Sequence, residues 1–169
     1  MSAKIVVRLF LILALAASCG CGVRERVSLP PCDDVVSLNP GVCPDDILHN
    51  KRPKVITFSN VFCLQFVEVE YLRRQINDNP EFDFLFYVKC DNDEERKKLD
   101  GFVRDNRLPI TLFVDWQQKD CRAKRKAGSV TFVSIITDAH LARYGVASVG
   151  SPRSPFNSVM LNVRRQLKM

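Results

Sequence analysis

KVITFSNVFC, residues 54–63, decides how this chain reads. Lys54 to Ser59 is rich in β-branched and aromatic side chains, the composition of a buried strand. From Val61 the period changes, and Phe62, Phe66, Val69, Leu72 and Ile76 fall on one helical stripe that ends near the turn sequence NDNP at 77–80. A strand that runs directly into a long amphipathic helix, with one cysteine at the junction, is the opening of a βαβ unit.

The pattern continues downstream. FDFLFYVKC (82–90) reads as a buried strand, and NDEERKKLDGFVRDN (92–106) as a charged helix with Leu99, Phe102 and Val103 turned inward. PITLFVD (109–115) is a third strand, and WQQKDCRAKRK (116–126) a short basic helix. SVTFVSIITD and ARYGVASVG are two β-rich runs close enough to form a hairpin. PFNSVMLNVRRQLKM closes the chain as a helix with Phe156, Val159, Met160, Val163 and Leu167 along one side. A parallel βαβ half joined to an antiparallel half predicts an α/β domain: one central mixed sheet with helices on both faces. Before residue 54, prolines at 30, 31, 40, 44 and 53 interrupt any regular period, so 19–53 reads as an irregular tether.

The first 18 residues have the form of an export signal: a short positive region with Lys4 and Arg8, nine apolar residues in LFLILALAA, and the small-residue exit Ser18-Cys19-Gly20. An apolar stretch that short does not span a bilayer, which takes about 20 residues. LAASC, Leu15 to Cys19, resembles the lipobox of bacterial lipoproteins, with Ala16 where leucine is more usual. The resemblance implies cleavage before Cys19, a diacylglycerol on its sulfur and an acyl chain such as palmitate on its new amine. Several chains are needed for a firm anchor, because one holds only marginally. A plain secretory signal with a coincidental cysteine is the other reading. The expected organisation is therefore a signal peptide at 1–18, a lipidated tether at 19–53 and a folded domain at 54–169. The membrane is then the first expected partner, and the bacterial cell envelope the location. Gly20 is not the aspartate that retains some lipoproteins at the inner membrane, which favours the outer membrane and leaves periplasmic and surface-facing placements open.

Composition agrees with a folded envelope protein. The 169 residues are 46% hydrophobic, enough for one core. Removing Lys4 and Arg8 with the signal leaves 23 basic against 19 acidic residues, a net +4 that is too mild to argue for nucleic acid. Of the seven cysteines, six remain once Cys19 takes lipid, an even number that suits an oxidising compartment. Cys32 and Cys43, in the proline-punctuated stretch PPCDDVVSLNPGVCP, have the best local case for a disulfide.

Other chemistry has little support. No CxxC, no zinc-spaced Cys/His set, no phosphate-binding glycine loop and no nucleophile elbow occurs, so neither metal nor cofactor is expected. The basic cluster CRAKRK (121–126) reads as a solvated helix face before it reads as a headgroup or partner site. Trp116 reads as core or interface before a ligand platform, and the Asp33-Asp34 and Asp45-Asp46 doublets as turn residues. His49 and His140 would serve Cys63 as a base only if the fold brought them to it.

Taken in order, KVITFSNVFC, FDFLFYVKCDNDEERKKL, LPITLFVD and VTFVSIITDAHLARYGVASVGSP resemble the successive strands of a thioredoxin-like domain of the membrane-tethered, TlpA-like kind. The resemblance covers roughly 54–169 and implies that the loop Asn60-Val61-Phe62-Cys63 stands where that family carries CxxC. The family's first cysteine sits at a helix N-cap, where unpaired N–H groups and the positive end of the dipole make it the attacking thiolate; the second resolves the mixed disulfide. Here the second is kept as Cys63 and the first is Asn60, a strong N-cap residue that cannot attack sulfur. The family's cis-proline falls at Val130, and Pro109 supplies it only in another register.

Two absent features argue against ordinary dithiol turnover, and three readings follow. The first is a lipid-anchored thioredoxin-like module without redox turnover that binds an envelope protein. The second is an enzyme that exchanges thiols through Cys63 alone, set against a buried cysteine acting as a small hydrophobe. The third is a structural or switchable bridge from Cys63 to Cys90 or Cys121.

Overall fold

The structure is a computed structural model, and it describes residues 24–29, 35–37, 44–108, 110–115 and 133–169. The elements in chain order are β1 (Val35–Ser37), α1 (Pro44–His49), β2 (Lys54–Asn60), α2 (Val61–Leu64), α3 (Val69–Asn77), β3 (Asp83–Lys89), α4 (Asp93–Asn106), β4 (Thr111–Asp115), β5 (Val133–Thr137), β6 (Arg143–Ala147) and α5 (Phe156–Leu167). Their strands form one mixed sheet in the order β1-β4-β3-β2-β5-β6. β2, β3 and β4 run parallel, while β5 is antiparallel to β2 and β6 to β5. The α/β architecture expected from the sequence is the one observed, hairpin included.

Strand alternation builds two cores from the same strands. Val55, Phe84, Phe86, Val88, Leu112 and Val114 face one side, where they meet Leu72 and Ile76 of α3, Leu99 of α4, and Phe156, Met160 and Val163 of α5. Ile56, Phe58, Leu85, Tyr87 and Phe113 face the other, against Ile47 and Leu48 of α1 and against Val27 and Leu29. On that second face Phe58, Tyr87 and Phe113 stack in a row, with centroids 5.4 and 4.8 Å apart. Helices therefore occupy both faces, but unequally. The crossovers from β2 to β3 and from β3 to β4 step the same way along the sheet, and two crossovers of one hand that step the same way put their helices on one side. Only α1, among the described helices, covers the second face.

Two expectations need correction. Residues 19–53 are not all irregular tether. β1 pairs antiparallel with β4 through Val35↔Asp115 and Ser37↔Phe113, α1 contributes to the second core, and Arg26 bridges to Ala142 beside β6. The prolines that break long periods leave room for a three-residue strand and a six-residue helix, which tertiary pairing then stabilises. The long helix from Val61 is also interrupted. α2 ends at Leu64, and Glu68 starts α3 afresh. The break shifts the helical phase, so Phe62 and Phe66, placed by periodicity on the inner stripe, are 63% and 68% exposed, while Cys63 and Leu64 turn inward.

β2 begins with a wholly buried lysine. Lys54 Nζ donates to Asn50 Oδ1 at 2.9 Å and to the Arg52 carbonyl at 2.8 Å, and it lies 3.9 Å from Asp83. Asp83 in turn accepts from Asn50 Nδ2 at 2.7 Å and pairs with Arg52 Nε at 3.2 Å. Burial holds the Lys54 amine below the usual lysine range, with the Asp83 carboxylate opposing that shift. This cluster closes the N-terminal end of the parallel strands, opposite the end that carries Cys63.

Candidate functional site

In a sheet built this way the position most open to ligands is the carboxyl end of the strand at which successive connections turn in opposite directions. That strand is β2, since the chain leaves it toward β3 and β4 on one side and returns to β5 and β6 on the other. Asn60 ends β2, and Cys63 lies three residues beyond it in the first turn of α2.

Asn60 caps that turn. With φ −130° and ψ 169° it has the extended backbone of an N-cap, and its Oδ1 accepts the Cys63 N–H at 2.8 Å. The side chain of residue 60 therefore reaches over the backbone of residue 63, which is where a first cysteine of a CxxC loop would need to be for its sulfur to meet the second. Cys63 itself is 8% exposed. The segment after α2 folds back through Phe66 N–H to the Cys63 carbonyl at 3.1 Å and Val67 N–H to the Leu64 carbonyl at 3.1 Å. Glu68 N–H then donates to the Gly150 carbonyl at 3.2 Å, fastening the break between α2 and α3 to the loop before α5. Phe62 and Phe66 stand on the outside of this turn as an edge-to-face pair with centroids 5.3 Å apart. The interruption had a sequence signal, because the β-branched Val67 and Val69 fall within three residues in a segment read as helix. The exposed aromatic pair beside the cysteine was missed.

Cys90 lies at the same end of the sheet, one residue beyond Lys89, which pairs with Asn60. It is fully buried on the first core. Cys63 and Cys90 are both thiols, so the bridge between those two considered from sequence is not formed. Burial, with the Glu95 carboxylate adding to it, pushes the Cys90 thiol up to about 11. That keeps it protonated and a poor attacking group at neutral pH. At pH 8 its thiolate fraction is on the order of one in a thousand. We expect iodoacetamide at pH 8 to leave Cys90 of the folded chain unmodified while it labels the same cysteine after unfolding, with the folded-state rate rising steeply toward pH 11. Peptide-resolved mass spectrometry reads this out, and rapid labelling of folded Cys90 at pH 8 would contradict the assignment.

The histidines are not brought to Cys63. His49 ends α1, just before β2 begins, and His140 lies in the β5–β6 turn, beyond Thr137, which pairs with Lys54 at the start of β2. Both occupy the opposite end of the sheet, about 20 Å along a seven-residue strand. Among the described residues no group of His, Cys, Asp and Glu is arranged to hold a metal ion. Cys19, Cys21, Cys32, Cys43, Cys121, Trp116, Pro109, Val130 and the basic cluster at 121–126 lie outside the described residues. So does the signal segment at 1–18. No described helix is long and apolar enough to cross a membrane.

The central parallel strands, the cysteine in the first helical turn after β2, and the antiparallel hairpin followed by α5 together give the chain a thioredoxin-like α/β fold. Solved structures share that fold. The solution structure of a putative thioredoxin from Neisseria meningitidis matches at 18% identity with a TM-score of 0.55, covering 86% of this chain and 90% of that one. A thiol-disulfide isomerase from Corynebacterium glutamicum matches at 13% identity and 0.59, covering 83% and 94%. A putative thiol:disulfide interchange protein DsbE from Chlorobium tepidum matches at 11% and 0.56, covering 83% and 96%. No family model matches the chain, and no curated protein does.

Proposed function

We propose that this chain is a cell-envelope thioredoxin-like protein that carries out thiol-disulfide exchange through one cysteine, Cys63, and that it is anchored by lipid on Cys19. The observation that carries the reading is the Asn60–Cys63 turn: a cysteine in the first turn after the central strand, its N–H fixed by the cap. Among the solved structures that share the fold, a thiol-disulfide isomerase and a putative thiol:disulfide interchange protein lend it support.

The chemistry is a single exchange. The Cys63 thiolate attacks one sulfur of a partner disulfide, a new bond forms to Cys63 Sγ, the partner's S–S bond breaks, and the departing thiolate takes a proton from water. With Asn60 in place of a neighbouring thiol, resolution falls to a second external thiol, which attacks the mixed disulfide and returns Cys63 to its reduced form. The four-residue α2, followed by a break, is a locally weak element whose opening exposes the buried sulfur. Phe62 and Phe66 flank it with apolar surface suited to a cysteine-bearing polypeptide.

A second reading, an accessory module that binds an envelope partner without redox turnover, is favoured by the burial of Cys63. The two separate cleanly. The reduced full chain is incubated with glutathione disulfide near pH 7.5 and mapped peptide by peptide. We expect a glutathione adduct on Cys63, absent in Cys63→Ser, together with no catalytic reduction of insulin. A Cys63 that stays unmodified until the chain is unfolded would establish the accessory module instead. Intact mass tests the anchor: a chain beginning at Cys19 with diacylglycerol and acyl groups is expected.

A further inference from the structure

We propose that the face formed by the 24–26 segment, the β6 edge and the last turns of α5 lies against an anionic lipid surface. This rests on the lipid-anchor reading. Cys19 is five Cα steps from Arg24, so the acylated residue lies within about 18 Å of it. Arg24 is not loose chain. Its Nη2 donates to Gln166 Oε1 at 3.0 Å, and its guanidinium carbon sits 3.5 Å above the Tyr144 ring. The following residues are fastened to the sheet by Arg143 N–H to the Glu25 carbonyl at 2.9 Å and Val27 N–H to the Leu141 carbonyl at 2.9 Å. A link of five Cα steps from the acylated residue and a docked Arg24 set which side of the domain meets the membrane.

The chemistry of that side fits. Arg24, Arg26 and Arg143 are exposed along the β6 edge, and Arg165 and Lys168 are exposed at the end of α5. The acidic group on the segment, Glu25, lies 3.4 Å from Arg143. In the turn before β6, Asp138 directs Oδ1 to the N–H groups of His140 and Ala142. Apolar surface is mixed with the cations: Leu161 and Met169 are 50% and 55% exposed, with Arg165 one helical turn from Leu161 on the outer side of α5 and Lys168 at its left-handed C-cap. Exposed apolar side chains among arginines and lysines suit the headgroup boundary, where basic groups meet anionic lipid and apolar ones enter the acyl edge. The same cations close the sheet edge to pairing with other strands.

The test uses the full chain, produced in a host that processes lipoproteins and reconstituted on vesicles of phosphatidylcholine alone or with 30 mol% phosphatidylglycerol. Backbone hydrogen exchange is followed across β6 and α5. We expect exchange at 143–147 and 161–169 to slow at least fivefold on the phosphatidylglycerol vesicles and not on phosphatidylcholine. The difference should disappear at high salt and in Arg165→Glu/Lys168→Glu, whose substitutions are exposed and leave the fold intact. Equal exchange on the two lipids, with an acylated mass confirmed, would overturn the basic face and leave the anchor standing. If the mass shows no acyl groups, the anchor reading falls, and sedimentation of that chain with the same vesicles still decides the face: retention on phosphatidylglycerol alone upholds it, with on the order of tenfold weaker retention in the charge-reversed variant, and retention on neither overturns it.

Discussion

Asn60→Cys is expected to raise disulfide-reducing turnover, by placing inside the loop the second thiol that the proposed exchange through Cys63 takes from outside. The Asn60 side chain already reaches the first-turn backbone of residue 63, with Oδ1 2.8 Å from the Cys63 nitrogen. A sulfur on the same Cβ is directed at the same turn and lies within one helical turn of the Cys63 side chain. It also takes the position where helix N–H groups stabilise a thiolate. The introduced thiolate would attack a substrate disulfide; the Cys63 thiol, losing its proton, would then attack the mixed disulfide and release the substrate as a thiol. The internal disulfide left behind is reduced by dithiothreitol, which closes the cycle. Insulin reduction with dithiothreitol is expected to rise at least tenfold over the parent chain. The oxidised variant should also lose two hydrogens in mass relative to its reduced form, with both cysteines mapped to one peptide bridge. Loss of the asparagine cap should cost about 1 kcal/mol of stability. A variant that folds and oxidises yet shows no gain in turnover would mean that residue 60 is not the attacking position, and the single-thiol reading of Cys63 would lose its geometric basis.

How far the sequence reached depended on the range of the interaction. Strands β2 to β6 and helices α4 and α5 were legible because each is written in a local period: Phe84-Leu85-Phe86-Tyr87-Val88 cannot be anything but a doubly buried strand in this context, and Phe156, Met160 and Val163 mark the inner side of α5. The cap at Asn60 follows from local chemistry too. β1 was not legible, since three residues carry no period and it exists through its pairing with β4. Nor was the burial of Lys54, whose partners Asn50 and Asp83 come from separate parts of the chain and meet only when β2 and β3 align. The same limit hid the docking of Arg24, because a hydrogen bond to Gln166 joins the two ends of the described chain. At the site, the sequence places Cys63 in the turn after β2, where the structure has it, but a period that assumes an unbroken helix assigns Phe62 and Phe66 to the core, and both are exposed.

That misassignment yields the sharpest contrast in stability. Phe86 lies mid-strand in β3, paired with Thr57 on one side and Leu112 on the other, and is 1% exposed in the first core. Truncating it removes a ring from a layer closed by α3, α4 and α5, and the strands on either side hold the backbone in place, so the cavity cannot collapse. Phe86→Ala is expected to cost about 3–5 kcal/mol, a large fraction of what a domain of this size has to lose. Phe62 has the same side chain and is 63% exposed, with Phe66 as its aromatic neighbour. Phe62→Ala removes at most that one edge-to-face contact, so its effect on unfolding should stay within about 1 kcal/mol. Urea unfolding of the two variants under reducing conditions separates the assignments. If Phe62→Ala proved as destabilising as Phe86→Ala, the break after Leu64 would be wrong and the continuous helix right; if it leaves stability nearly unchanged but slows adduct formation at Cys63, the exposed aromatic pair belongs to the surface that receives the partner.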